Sequence, residues 1–402
     1  MVRVRNNEAL LWSILGIAFV QMTHLAIVPG FDAAVLQVFA IDVRRALEVA
    51  ALMPYICAIL GGIVAVVLVR NDVASRRTIV LAGLGLAALS GVSALLLNTR
   101  VWHLFAMNSL LGFGIGLFVP VVQSLVFDCF DVNKRRVLCG MQFALSCFGC
   151  ILLGIIAGVL ELHLWYGGHL IALVIVSVAV ITFLLLPKEI QHFAGGRSGE
   201  SARLPGGVYY FAVMTFLFAT LFNVVGVDKA AKLAEASLAG GEAAGHALML
   251  MLLGGVFGGV LFSKISQVLG DDILPVSFLL MLVGFAFVRY FPDSPVAAVA
   301  AMLVFGCSFG IFVPRCVFGV SNLVCASDST LAAMLVSCAA PAAAGVVSPY
   351  ITRAFSAGVV GDAGGYFFGF AAVACPVLAG VAFVKNRYDM VRAPNALCAV
   401  ID

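Results

Sequence analysis

About twelve times along its 402 residues, the chain runs through roughly 20 predominantly apolar positions, the length a helix needs to cross ~30 Å of hydrocarbon. The runs lie near 9 to 30, 48 to 69, 78 to 97, 101 to 124, 137 to 160 and 167 to 187, and then near 207 to 227, 244 to 263, 273 to 291, 296 to 318, 329 to 351 and 364 to 384. They are continuous rather than alternating and exceed the roughly ten residues of a barrel strand, so strands are excluded and an all-α integral membrane fold is expected. Apolar residues make up 63% of the chain and charged ones 11%, against about half and about a quarter in soluble proteins. A net charge of +3 gives no reason to expect a nucleic-acid partner. The N-terminal run follows Arg3 and Arg5, but it is too long for a signal peptide and lacks a clean small-x-small site, so it is read as a retained first helix.

One glycine-rich stretch occurs twice. Gly112-Phe113-Gly114-Ile115-Gly116-Leu117-Phe118-Val119-Pro120 returns 194 residues downstream as Gly306-Cys307-Ser308-Phe309-Gly310-Ile311-Phe312-Val313-Pro314. A weaker echo links Gly30-Phe31-Asp32-Ala33-Ala34 after the first run to Gly226-Val227-Asp228-Lys229-Ala230-Ala231 after the seventh. Two echoes in the same order predict an internally duplicated chain, the plan of transporters that build their solute path where two repeats meet. Gly112, Gly116, Pro120, Gly306, Gly310 and Pro314 are the expected helix-packing residues, allowing close approach and local bending.

The segment from Lys188 to Gly207, with Gly195-Gly196 and Pro205-Gly206, reads as a flexible linker. It divides the chain into 1–187, a linker 188–206, and 207–402, each larger part a six-helix bundle. With a cytoplasmic N-terminus, Arg3, Arg5, Arg70, Arg76, Arg77, Lys134, Arg135, Arg136, Lys188, Arg197 and Arg203 lie inside, and Arg44, Arg45 and Arg100 outside. That imbalance places both termini in the cytoplasm of a cell bounded by a plasma (inner) membrane; the second half is nearly even and adds little. Eleven cysteines, mostly inside apolar runs, read as small packing residues rather than a disulfide framework or metal site.

Between the second and third runs lies Arg70-Asn71-Asp72-Val73-Ala74-Ser75-Arg76-Arg77. It resembles the signature loop of the major facilitator superfamily, in which an Asp is followed by two residues, a Gly and two basic residues; here Ser75 replaces the Gly and Val73 a usual Arg. A cytoplasmic loop collects Arg in any case, but the spaced Asp72 is not explained that way. The second half keeps a degraded copy around Ser263-Lys264. The resemblance implies twelve helices in two bundles related by a pseudo-two-fold axis, with a cavity formed mainly by helices 1, 4, 5, 7, 10 and 11. It also implies a cytoplasmic gate, with Asp72 near the start of helix 11 and the basic residues near the end of helix 4. Ser327-Asp328-Ser329-Thr330, a run of N-cap residue types, is the partner expected for Asp72. Asp128 and Asp131 are expected within reach of Arg76 or Arg77, with a solvated loop beside Lys134 as their alternative. The gate residues are thus Asp72, Ser75, Arg76, Arg77 and Asp128.

The family's proton-coupled members often carry an Arg in helix 4 where this chain has Asn108, and helix 5 lacks the Gly-Pro pair of the antiporter signature. Both departures weaken the case for a proton-driven drug exporter without excluding it. Polar residues inside spans mark candidate cavity positions: Gln21, His24, Asp32, Gln142, Ser146, Asn223 and Arg315. Asp32 equally fits the outer membrane surface, and His24 is either a packed histidine or the first choice for a proton carrier. Gln142, Ser146 and Gly149 form a small polar stripe that suits helix packing as well as solute contact. Arg315 either snorkels from the end of helix 10 or anchors a carboxylate or phosphate on the solute.

The expectation is therefore a secondary transporter, moving a small organic solute by alternating access, with protons as a candidate coupling ion. The lipid bilayer is its surroundings, it works as a monomer, and no cofactor, metal or enzyme chemistry is expected. A transport-inactive sensor or scaffold and a proton-driven drug or metabolite exporter are the alternatives. An integral-membrane enzyme would need clustered ligands or catalytic groups, and the six histidines form no such cluster.

Overall fold

The computed structural model describes residues 2–27, 44–100, 102–187, 204–223, 243–291, 294–351 and 363–398. Among them every regular element is helical. That is the arrangement lipid permits, because a helix satisfies its backbone donors and acceptors within one segment. The helices are α1 Val2–Val20, α2 Arg44–Arg70, α3 Arg76–Leu96, α4 Trp102–Cys129, α5 Val132–Glu161 and α6 Gly167–Leu185. They continue with α7 Gly206–Leu221, α8 Ala243–Leu269, α9 Ile273–Tyr290, α10 Pro295–Ser321, α11 Ser329–Ile351 and α12 Ala363–Cys398. Among the described residues ten apolar stretches are long enough to cross a bilayer; one, Leu248–Tyr290, takes in most of α8 and all of α9, and α7 is a shorter apolar helix. The described rods are consistent with the twelve spans expected.

Several helices outrun their apolar stretches. α5 begins at Val132 rather than near 137, because Lys134, Arg135 and Arg136 continue its first turns beyond the hydrocarbon. Hydropathy reports the thickness of the lipid, whereas the hydrogen-bond ladder ends only where the backbone turns. Ser294 caps α10 by accepting from the Ala297 amide at 3.3 Å, ahead of Pro295 at a position that suits proline. α1 is interrupted by a turn at Gln21–Met22, beyond which its span continues to Ile27. Asp32, the echo pair at Gly30 and Gly226, and linker residues 188–203 lie outside the described residues.

The duplicated glycines sit at two equivalent crossings. A Cβ on Gly112 or Gly116 would overlap the carbonyls of Pro54 or Ala58 on α2, and one on Gly61 would overlap the Phe113 carbonyl. In the second half, Gly306 and Gly310 meet the carbonyls of Met251 and Gly255 on α8, and Gly258 that of Cys307. These are the same crossing built twice, with backbones too close for any side chain. The adjoining crossing is instead varied. Gly83 and Gly114 let α3 touch α4, whereas their counterparts are Ser277 and Ser308, and the Ser308 hydroxyl donates to the Ser277 carbonyl at 3.0 Å.

The halves meet along two seams. Gly259 of α8 packs on Gly140 and Ala144 of α5, and Gly62 of α2 packs on Met334 and Cys338 of α11. Exchanging α2 for α8 and α11 for α5 carries one seam onto the other, as a pseudo-two-fold axis between the bundles requires.

Gly116→Ala should therefore lower the melting temperature of the detergent-solubilised protein, at a cost of about 1–3 kcal/mol from overpacking. Gly85→Ala, where a Cβ would meet nothing within 4 Å, should stay within about 1 kcal/mol of the parent. Equal melting temperatures for the two variants would contradict the crossing.

Candidate functional site

At the end of the bundle that carries Arg70–Arg77, the halves are joined by polar contacts. The α2–α3 turn closes through Val73 N donating to Leu68 O at 3.0 Å, with Asp72 exposed in the left-handed region at φ 52°. Asp is among the few residues that tolerate that conformation. Ser75 then caps α3, its oxygen accepting from the Thr78 amide at 3.2 Å, a bond the family's glycine could not make.

The centre of this end is Asp128, on the last turn of α4. Arg76 donates to its carboxylate at 2.5 Å, and the Ser329 hydroxyl at the start of α11 donates to the same oxygen at 2.9 Å. An acid at a helix C-terminus opposes the helix dipole, and both Arg76 and the N-terminus of α11 offset that. The Asp128 side chain is 4% exposed and that of Arg76 17%, so the pair is shielded from water. Arg76 also reaches the Ala326 carbonyl at 3.4 Å, and Ser124 and Thr330 share a hydrogen bond at 3.1 Å across the α4–α11 contact. From α5, Arg135 donates to Phe130 O at 2.7 Å and across the halves to Ser321 O at 3.0 Å, while Arg136 lies 5.3 Å over the Phe318 ring.

This differs in part from the expected wiring. Asp128, not Asp72, occupies the start of α11, because α4 projects it into the interior while Asp72 rides on a turn outside. Arg70, mostly exposed, lies 3.9 Å from Asp328. Arg77 points to α6, donating to Phe183 O at 2.6 Å with its guanidinium 5.1 Å over that ring. Asp131 precedes α5 as its cap residue without a side-chain capping bond.

Arg315 is buried at the same end of the bundle and is paired with Asp271, in the turn between α8 and α9, while its guanidinium also lies 5.6 Å over the Phe211 ring of α7. The Asp271 carbonyl accepts from Asn386 of α12 at 2.7 Å, and Arg387 lies 3.6 Å from Asp272. The second half thus has its own charged strut between the start of α9 and α10, with the carboxylate and guanidinium exchanged relative to α3 and α4. The signal missed in the sequence is Gly270-Asp271-Asp272: Asp271 stands 194 residues after Arg77.

The other candidates are dispersed. Gln21 sits in the turn that breaks α1. His24 stacks edge-on against Tyr55 of α2, with ring centroids 5.5 Å apart, and its Nδ1 is buried without a partner. Gly345, in the π-helical turn Ala342–Val347 of α11, packs on the same Tyr55. Gln142 and Ser146 are buried on α5, with the Ser146 hydroxyl donating back to Gln142 O at 2.8 Å. Asn223 donates to Ala219 O at 2.7 Å.

Sequence reasoning missed two groupings. Asn108 donates to Ala50 O at 2.9 Å and accepts from the fully buried His169 Nε2, also at 2.9 Å, binding α2, α4 and α6 together. A run of ring contacts crosses the halves: Phe143 of α5 meets Phe309 of α10 edge-on at 4.9 Å, and Phe309 stacks on Phe222 at 4.8 Å. Phe recurs in many of the apolar runs, 31 times in the chain, so nothing in the spacing singled these out. No three His, Cys, Asp or Glu groups converge as a metal site among the described residues.

A sequence profile of the Major Facilitator Superfamily matches residues 9–330. The fold resembles that of the human organic anion transporter MFSD10 (TETRAN), with a TM-score of 0.65 at 15% identity, covering 95% of this chain and 97% of that one. It also resembles the proton:xylose symporter XylE bound to 6-bromo-6-deoxy-D-glucose, with a TM-score of 0.71 at 14% identity over 94% of each chain. A bacterial homologue of the iron transporter ferroportin, outward-facing with soaked iron, has a TM-score of 0.66 at 18% identity, covering 94% of this chain and 98% of that one. No curated protein sequence matches.

Asp128→Ala leaves a largely buried Arg76 without its carboxylate and should destabilise the protein by about 3–5 kcal/mol, read as a lowered melting temperature. Arg70→Ala removes a guanidinium that is 62% exposed and should shift stability by under about 1 kcal/mol.

Proposed function

As the chain belongs to the Major Facilitator Superfamily, a family of membrane transporters, we propose that it is a secondary carrier of a small organic solute working by alternating access. The observation that carries this reading is the set of contacts joining the halves at one end: Asp128 to Ser329, Ser124 to Thr330, and Arg135 to Ser321 O. Each is polar and directional, and together they can part as a unit when the bundles rock about the glycine-lined seams. A static scaffold would have no need of a seal built from exchangeable hydrogen bonds.

In this reading residues 1–187 and 207–402 are the moving bundles, joined by a linker over 188–206. The sealed end is cytoplasmic, as the first half's Lys and Arg distribution supports, with both termini on that side of a plasma (inner) membrane. Gln21, His24, Gln142, Ser146 and Asn223 are the polar residues assigned to the path. Arg315 is engaged by Asp271 at the cytoplasmic end, which favours a structural role over a solute anchor. An uncharged solute, or one of low charge, follows from that assignment. The organic anion, sugar and iron named for the structural neighbours differ too much to nominate one solute here. Transport needs no covalent step, and one chain suffices for it.

The test is a reversible lock. Ser124→Cys with Thr330→Cys puts two thiols where hydroxyl oxygens stand 3.1 Å apart, close enough for a disulfide once the sulfurs approach. Exchange of labelled for unlabelled solute in proteoliposomes should stop on oxidation and return on reduction, with the parent protein treated in parallel. Unaltered exchange in the cross-linked protein would sink alternating access at this seal.

A further inference from the structure

The tight turn after α5 folds the last residue of that helix back over the start of α6. His163 N and Leu164 N both donate to Leu160 O, at 3.1 and 2.9 Å, and Gly167 N donates to Leu164 O at 2.7 Å. Glu161 is thereby laid across Gly168, with its Oε1 in the space a side chain at 168 would fill. The same space is bordered by Ile27, whose Cγ2 lies 3.5 Å from the position of a Gly168 Cβ. Glu161 Oε1 is shut away from water and has no hydrogen-bond partner, although the residue as a whole is half-buried.

A carboxylate oxygen held among Ile27, Gly168 and the turn backbone has lost its hydration with no donor in exchange, which is costly while the group is ionised. The oxygen itself occupies that space, so a proton on the carboxyl is what relieves its charge there. Glu161 is the last residue of α5 and half-exposed, which leaves its carboxyl open to protons from outside the site. Other titratable groups on the packed elements are engaged elsewhere: His24 of α1 lies against Tyr55, His169 of α6 bonds Asn108, and Tyr166 stacks edge-on with Trp165 at 5.6 Å. His163, on the turn itself, is exposed.

We propose that Glu161, seated over Gly168 and against Ile27, is a proton-binding site of this carrier. The proposal deepens the transport reading by naming the coupling ion and the place it binds, away from the sealed end. Proton binding is linked to the placement of α1, because Ile27 belongs to the short segment beyond the Gln21–Met22 turn. Loss of the proton leaves a charge beside that segment and draws water to it, favouring its displacement.

The experiment is infrared difference spectroscopy of the purified full chain in lipid nanodiscs, titrated from alkaline to acidic pH without any solute. The parent should show a protonated-carboxyl carbonyl band of low-polarity frequency that Glu161→Gln lacks. Gly168→Ala fills the space and should move that band to the frequency of a hydrated carboxyl. Superimposable spectra for the parent and Glu161→Gln overturn the site; should that variant not fold, an unmoved band in Gly168→Ala does so. No solute is present, so this outcome is independent of the cysteine-lock experiment: failure of the lock removes the carrier, and failure here removes only the proton site.

Discussion

The close backbone approaches of α4 to α2 and of α10 to α8 are what the rest depends on. In hydrocarbon there is no water to drive helices together, so association relies on dense contact and on polar groups that find partners. Glycine on α4 and α10 brings those helices onto the carbonyls of their neighbours, and every other seam is placed relative to these two rigid pairs. The residues that line the inter-half seams, Gly62, Gly140 and Gly259, continue the same economy of side chain where one bundle meets the other.

On that frame the two halves have diverged where packing leaves a choice. The α3–α4 contact is glycine on glycine, while α9–α10 uses a serine bond. The charged struts show the larger divergence. In the first half a guanidinium at the start of α3 meets a carboxylate on α4 and then continues to α11 in the other half. In the second, a carboxylate at the start of α9 meets a guanidinium on α10 and remains among α7, α9, α10 and α12. One strut therefore belongs to the interface and the other braces a bundle. A symmetric scaffold thereby gains an asymmetric seal.

The duplicated nonamer could be read directly, because a membrane crossing demands glycine at a recurrent position, and the turn residues Ser75 to Arg77 were legible for a similar reason. Arg315 was visible as a charge in an apolar helix, but its partner Asp271 is 44 residues away and joins it only because α9 and α10 lie side by side. The same holds for Asn108 and His169, which are 61 residues apart. Asp72 had the expected spacing, yet its turn leaves it outside while Asp128 points inward.

From the sequence alone came the membrane environment, the helical class, the duplication and the positions of tight crossings, because lipid thickness and backbone hydrogen bonding act on local stretches of chain. Only the tertiary structure decided which carboxylate closes the seal, which arginine is already paired, and that Glu161 lies over Gly168 beside the end of α1. Those outcomes depend on helix rotation and on neighbours brought together from distant parts of the chain, and a run of apolar residues carries no record of the direction in which its few polar side chains will point.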